Sequence, residues 1–243
     1  MSQRVLPARF VTGERSKLAE SATCSRGSWE LGAGSWELGA GRRILDYGCG
    51  QGVFLMCALA RGFDAFGCDL DLNAPLAVAP RERLTAVPTP WAMPEGHWDC
   101  LVLLDVLEHH PEPWNFLKTA PATHVLLKVP NCTGPAARAA RFAARRGRPS
   151  LIEQLFLVGE NFPHHWLATR KGIRAMALEA GYDVVRFGSI PEVGAELADR
   201  VRSAPAKWKR PLLSLAGAAL GALGPVWSDA TLVLLKRKGV QCS

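Results

Sequence analysis

The sequence predicts an α/β fold built on a parallel sheet, and three observations carry that prediction. A short strand, a glycine turn, a helix and a second strand follow one another between Ile44 and Asp69. The run Trp98–Asp105 is continuously apolar apart from its acids, as expected of a strand covered on both faces. Strand and helix patterns then alternate as far as Ala230–Lys236. Parallel neighbours need a crossover connection, usually a helix, so the strand–helix–strand order forces parallel pairing.

Ile44–Tyr47 is a strand that stops at Gly48, and Val53–Arg61 is a helix free of breakers. Ala65–Asp69 is the second strand, and Leu84–Val87, set in a proline-rich stretch, is a reduced third. Trp98–Asp105 is the fourth strand, Pro113–Ala120 a short helix and His124–Val129 the fifth strand. Ala136–Arg146 has strong helix propensity, and the apolar run Leu151–Val158 reads as a second helix of the same insert. Thr169 caps a helix over Arg170–Ala180, which Gly181 stops. Tyr182–Phe187 and Ala230–Lys236 are the last strands.

A chain of 243 residues suits one such domain, and 48% hydrophobic with 21% charged residues places it among globular proteins. Residues 1–40 read as a tail that carries a tandem duplication of GSWELGA, too short to build a solenoid. Residues 41–240 form the folded domain, with an insert at about 132–168 and an apolar helical segment at about 203–228. The seven cysteines are scattered, odd in number and form no C-x-x-C pair, which argues against a zinc or disulfide framework and for a cytoplasmic compartment. Met1–Glu20 has no apolar core of a secretory signal. Pro211–Trp227 is short for a bilayer span, which needs roughly 20 residues, and glycines interrupt it. It reads as a buried or membrane-surface helix. The net charge of +7 is concentrated at Arg138–Arg148 and Arg200–Arg210, runs suited to an anionic partner or a solvated face.

The most informative stretch is Asp46-Tyr47-Gly48-Cys49-Gly50-Gln51-Gly52. Glycine lets a turn close and lets a ligand approach the backbone. The helix that follows presents free N–H groups to an anionic ligand. Asp69 closes the next strand, where an ionised carboxylate accepts hydrogen bonds from two sugar hydroxyls. Gly48, Gly50 and Gly52 alternate as G-x-G-x-G, whereas a nicotinamide-dinucleotide site has G-x-G-x-x-G.

These residues carry a family resemblance. ILDYGCGQGVFL resembles motif I of class I S-adenosylmethionine (SAM)-dependent methyltransferases, and FGCDLD resembles their second strand with its ribose-binding acid. WDCLVLLDVLEHHPEP, HVLLKVPN and the helix Arg170–Ala180 followed by Gly181-Tyr182-Asp183-Val184-Val185 are similar to later elements of that family. Within it, the chain resembles ubiquinone-pathway O-methyltransferases. The resemblance implies a Rossmann-like sheet of seven strands, mostly parallel with the last antiparallel, and helices on both faces. It implies SAM as cofactor. Asp46, Tyr47, Gly48, Cys49, Gly50 and Gly52 would surround its methionine part, Asp69 its ribose and Leu70 its adenine, with Leu104 and Asp105 beside the sulfonium. Many relatives carry an acid after the third strand that contacts adenine; Val87–Thr89 stand there instead, leaving Trp91 or backbone groups for that contact.

Methyl transfer needs an oriented nucleophile, and a base where the acceptor is a hydroxyl. The candidates are Asp105, His109 and His164, with His110 and His165 nearby. No resident metal is assigned. If a divalent ion is held, Asp105, Glu108 and His109 share a face where the stretch from Asp105 is helical. The resemblance to ubiquinone-pathway O-methyltransferases and small-RNA 2′-O-methyltransferases, the latter with a further histidine before a helix-starting Thr, implies His164, or His165 beside it, as the remaining ligand. The expected reaction is methylation, at oxygen, of a small hydrophobic or lipid-like acceptor, with peripheral membrane contact. The alternatives are metal-assisted RNA 2′-O-methylation and a non-catalytic protein of the same fold. The basic runs have few interleaved aromatics, so nucleic acid is not the expected partner.

Overall fold

The computed structural model describes residues 40–72, 79–190 and 230–239. The duplicated tail up to residue 39 and the segment 203–228 lie outside the described residues. The elements run β1 (Arg43–Tyr47), α1 (Val53–Ala60), β2 (Asp64–Asp69), β3 (Leu84–Ala86), β4 (Trp98–Leu104), α2 (Pro113–Thr119), β5 (Ala122–Pro130), α3 (Pro135–Ala144), α4 (Ser150–Leu155), α5 (Arg170–Glu179), β6 (Tyr182–Ile190) and β7 (Ala230–Arg237). Single 3-10 turns occupy Arg81–Arg83 and Leu107–His109.

The strands form one seven-stranded sheet in the order β3-β2-β1-β4-β5-β7-β6. Strands β1 to β5 pair in parallel, and β7 runs antiparallel to both β5 and β6, as the family resemblance implies. The strand order reverses between β1 and β4. Such a reversal opens a crevice outside the carboxyl ends of the two strands, where open α/β sheets bind ligands.

Alternation along the strands sends side chains to two apolar layers. Ile44, Cys100 and Val102 pack with Leu55 and Ala58 of α1 on one face. Leu45, Leu101, Leu103 and Val125 pack with Phe116 and Leu117 of α2 and with Ile173, Met176 and Ala177 of α5 on the other. The buried residues of α5 recur at i, i+3 and i+4, the period of a helix with one covered face. Both faces of β4 are therefore filled, which accounts for its unbroken apolar run.

Helix ends follow local chemistry. Pro113 and Pro135 open α2 and α3 at positions where no backbone N–H is needed. Gly147 (φ +75°) closes α3, with the Gly147 and Arg148 N–H groups returning to Ala144 and Ala143. The apolar run Leu151–Val158 is helical only as far as Leu155. Leu157 takes a left-handed conformation (φ +49°), and the Leu157 and Val158 N–H groups turn back to Gln154 and Glu153, which ends the helix early. The stretch from Asp105 is not the helix in which Asp105, Glu108 and His109 would share a face. Asp105 itself is left-handed (φ +56°), its N–H donates to the Lys128 carbonyl at 3.1 Å, and only Leu107–His109 form a turn.

Thr169 Oγ1 accepts the Gly172 N–H at 2.9 Å and caps α5. Thr169→Ala should therefore cost about 1 kcal/mol. That corresponds to a drop in Tm of roughly 2–4 °C, readable by thermal unfolding.

Candidate functional site

The glycine turn after β1 is closed from inside by two of its three glycines. Gly48 (φ +73°) and Gly52 (φ +78°) hold left-handed backbone that a side chain would strain. A Cβ on Gly48 would stand 2.6 Å from Val106 Cγ2, and one on Gly52 would stand 2.6 Å from Ala79 Cβ. A Cβ on Gly50 (φ +51°) would meet nothing within 4 Å, so this glycine faces open space. The Gly48 and Cys49 N–H groups both donate to the Cys68 carbonyl, at 2.8 and 3.1 Å, and lock the turn to the end of β2.

Asp69 completes that lock. Its Oδ2 accepts the Gly50 N–H at 2.8 Å and its Oδ1 accepts the Asp71 N–H at 3.4 Å. An ionised carboxylate has about four lone-pair directions. Two remain for the hydroxyls of a ligand lying across the turn. Leu70 follows, 39% exposed.

Asp46 lies buried on the α1 side of the turn, and its Oδ2 has no hydrogen-bond partner among the described residues. Burial, then the nearby Asp69 charge, raises its carboxyl to about 7, against a lowering contribution from the Leu55 N–H. A buried carboxyl oxygen without a donor suits a cationic ligand group such as an ammonium. Together with the open face of Gly50 and the carboxylate of Asp69, it fits the amino-acid and sugar ends of SAM.

The other residues of this stretch have different surroundings. Tyr47 turns its ring into the core, edge-on to Phe116 at 5.5 Å, and its hydroxyl donates to the Ala92 carbonyl at 3.1 Å. Only its backbone belongs to the turn. The Cys49 thiol packs beneath Gly67, and burial pushes it up to about 12, so it is an inert filler. Leu104 ends β4 and Asp105 follows it. Trp91 stacks edge-on against His110 at 4.4 Å and Phe116 at 5.7 Å.

A second cluster stands past the end of β4. Glu108, which is fully buried, His109 and His164 bring one ligand atom each within 4.8 Å of one another. His109 Nδ1 lies 3.2 Å from the Pro163 carbonyl and His164 Nδ1 lies 2.7 Å from the Leu155 carbonyl. A carbonyl only accepts, so each Nδ1 carries the hydrogen and each neutral ring keeps its lone pair on Nε2. His164 Nε2 is 4.0 Å from Glu108 Oε1. Burial holds the His164 imidazole below its usual pKa, with the Leu155 bond opposing, His109 adding and Asp105 opposing.

Asp105 does not join this cluster. Its left-handed backbone turns the carboxylate to Lys128, whose Nζ donates to Oδ2 at 2.6 Å. The helical face-sharing that put Asp105 beside Glu108 and His109 in the sequence reading is therefore replaced by an ion pair across the ends of β4 and β5. Lys128 was not singled out from sequence. Its signal is a lone cation in the otherwise apolar run HVLLKV. His165 is exposed and supplies only its N–H, to the Glu108 carbonyl at 2.8 Å. His110 braces the loop: its Nδ1 accepts the Glu112 N–H and its carbonyl accepts Trp166 Nε1.

The raised carboxyl of Asp46 has a consequence for stability. Its folded value of about 7 exceeds the unfolded value of about 3.9, so the native state binds the extra proton. Stability should fall as pH rises from about 4 to about 7, by at most about 4 kcal/mol. Asp46→Asn should remove that slope in the ligand-free protein. The variant's Tm relative to the parent should rise between pH 5 and pH 8, and a constant difference would refute the protonated assignment.

Comparison with known proteins agrees with this geometry. A family model described as a methyltransferase domain matches residues 26–186. A ubiquinone biosynthesis O-methyltransferase of Pseudomonas aeruginosa is 35% identical over 98 residues, 36% of this chain and 40% of that protein. The chain thus spans about two-fifths of the length of the curated relatives it matches. Among solved structures, a mycolic acid cyclopropane synthase complexed with SAH and CTAB aligns with a TM-score of 0.57 at 17% identity, covering 93% of this chain and 86% of that one. A magnesium protoporphyrin IX methyltransferase from Synechocystis PCC 6803 with bound SAH aligns with a TM-score of 0.51 at 14% identity, covering 93% and 84%. At such identities these two show the shared fold. The family match over two-thirds of the sequence makes this chain a member of the class I SAM-dependent methyltransferases.

Proposed function

We propose that the chain methylates a small, hydrophobic or lipid-like acceptor at oxygen. The observation that carries the proposal is the pair of imidazoles, His109 and His164, with Nε2 lone pairs beside buried Glu108 and past the carboxyl end of β4. When bound, SAM supplies a methyl group on a sulfonium, an electrophile that needs an oriented nucleophile. In this reading Asp46 receives the cofactor's ammonium, Asp69 its diol and Leu70 its adenine. Leu104 and Asp105 border the reacting centre. His109 or His164 takes the proton of the acceptor hydroxyl at Nε2, and Glu108 favours the resulting imidazolium. The match to O-methyltransferases of ubiquinone biosynthesis supports oxygen as the target and an apolar acceptor, over the part of those proteins that aligns.

A second reading, favoured by the same cluster, places a divalent cation on Glu108, His109 Nε2 and His164 Nε2, where it would polarise the acceptor oxygen. Both rings already donate their other nitrogen to a backbone carbonyl, the arrangement that orients metal-ligating histidines. RNA 2′-O-methylation would be one outcome of that reading. No described helix is long and apolar enough to cross a membrane. A cytoplasmic enzyme with peripheral membrane contact is the location this reading assigns.

Labelled SAM offered to cell extracts separated into lipid, small-molecule and RNA fractions should label the lipid or small-molecule fraction; label confined to RNA would overturn the acceptor class. Asp69→Ala should weaken SAM binding roughly ten- to a hundredfold in calorimetry, the loss of charge-assisted hydrogen bonds. For the cation, titrating Mn²⁺ or Zn²⁺ into the protein should give a binding heat that His164→Ala abolishes, and its absence removes the second reading.

A further inference from the structure

The insert after β5 concentrates uncovered apolar side chains in a way the rest of the described chain does not. Phe142 on α3 is 60% exposed, Leu151 on α4 42%, Val158 67% and Phe162 48%. These are four of the nine large hydrophobic residues exposed among the described residues, and all four fall within residues 142–162. The helices explain why they stay uncovered. α3 buries its small residues, Ala137 and Ala140, and leaves Phe142 outside. α4 is six residues long and ends at the Leu157 turn, so Val158 projects beyond it.

The same insert is basic. Arg138, Arg145, Arg146 and Arg148 are exposed and make no salt bridge with another described residue. Arg141 is spent on the Cys132 carbonyl at 2.6 Å. The acids of residues 138–162 are Glu153 and Glu160, both exposed, so the five arginines leave a net charge of +3 (5 − 2) there. The Arg146 guanidinium lies 3.5 Å from the Phe142 ring centroid, so cation and apolar surface share one spot.

We propose that this insert docks on the surface of an anionic phospholipid bilayer. Arginines meet the headgroup charge while Phe142, Leu151 and Val158 enter the headgroup boundary. Charge complementarity selects this partner over a neutral one. A single-stranded nucleic acid would want several flat faces for its bases. Here Leu151 and Val158 offer none, and Arg146 occupies one face of the Phe142 ring while the rest of that side chain stays exposed. The position of the face adds a reason for docking. Phe162 packs edge-on to His109 at 6.5 Å, so the apolar margin of the insert adjoins the imidazole cluster. Docking there brings the site to the depth of a membrane-borne acceptor. This step rests on the proposed lipid-like acceptor, whereas the docking itself does not require it.

The test is flotation of the full chain with vesicles of phosphatidylcholine, with and without phosphatidylglycerol. The chain should partition onto the phosphatidylglycerol vesicles and be released by salt. Arg145→Ala, Arg146→Ala and Arg148→Ala together should weaken partitioning by about a hundredfold, near fivefold per arginine. Phe142→Ser should weaken it without abolishing the salt dependence. SAM binding, measured separately by calorimetry, should be unchanged in these variants. No partitioning onto anionic vesicles, equal binding by the triple variant, or tighter binding to a short single-stranded RNA than to the vesicles would overturn the docking. Vesicle binding in a chain that fails to bind SAM would instead sink the methyltransfer reading and leave the docking standing.

Discussion

The hydrogen bonds that tie the glycine turn to the end of β2 fix the geometry on which the rest of the site depends. The in-register pairing of β1 with β2 sets Tyr47 opposite Cys68, so the carbonyl of Cys68 receives the Gly48 and Cys49 N–H groups and Asp69 reaches Gly50. The turn has no room to relax inward, because Val106 fills the space beside Gly48 and Ala79 the space beside Gly52. Val106 also stands between Asp105 and the Leu107–His109 turn. The same contact therefore sets the height of the glycine turn and the start of the loop that carries Glu108 and His109.

The second half of the site depends on a chain segment that returns from the insert. His165 N–H meets the Glu108 carbonyl, the Pro163 carbonyl meets His109, Trp166 Nε1 meets the His110 carbonyl, and Ala168 N–H meets the Pro130 carbonyl. These bonds hold residues 163–168 against the carboxyl ends of β4 and β5. His164 is carried into place by its neighbours, and its own Nδ1 is oriented by Leu155 at the end of α4. The insert is thus anchored at the imidazole cluster, while α3 and the tip of α4 stand outward with their arginines and uncovered apolar side chains.

Electrostatics separates the two groups of acids. Asp46 is buried with its carboxyl raised, Asp69 is held by backbone N–H groups, and Asp105 is neutralised by Lys128 at 2.6 Å. Glu108 is then the carboxylate that faces the imidazoles. An acid at 105 that reached Glu108 would set two carboxylates side by side, a costly arrangement without a cation between them. The Lys128 pair avoids it.

Most of the fold was legible in the amino-acid sequence, because its signals are local. The glycine turn, the β1–α1–β2 unit, the doubly buried run of β4, the Thr169 cap and the antiparallel last strand are all carried by short windows or by the family pattern. Asp46, Gly48, Gly50 and Asp69 were named from the same windows. What lay beyond them is long-range. His109 meets the Pro163 carbonyl across 54 residues, and Lys128 takes Asp105 across 23. Asp105, Glu108 and His109 would share a face only in a helix, and a left-handed residue followed by a single 3-10 turn removes that face. The outward apolar tip of the insert was equally hidden, since a run such as Leu151–Val158 reads alike whether it is buried or not. Backbone preference and apolar period act over a few residues and are written in the chain; which distant side chains meet is decided only when the packed sheet fixes where each loop returns.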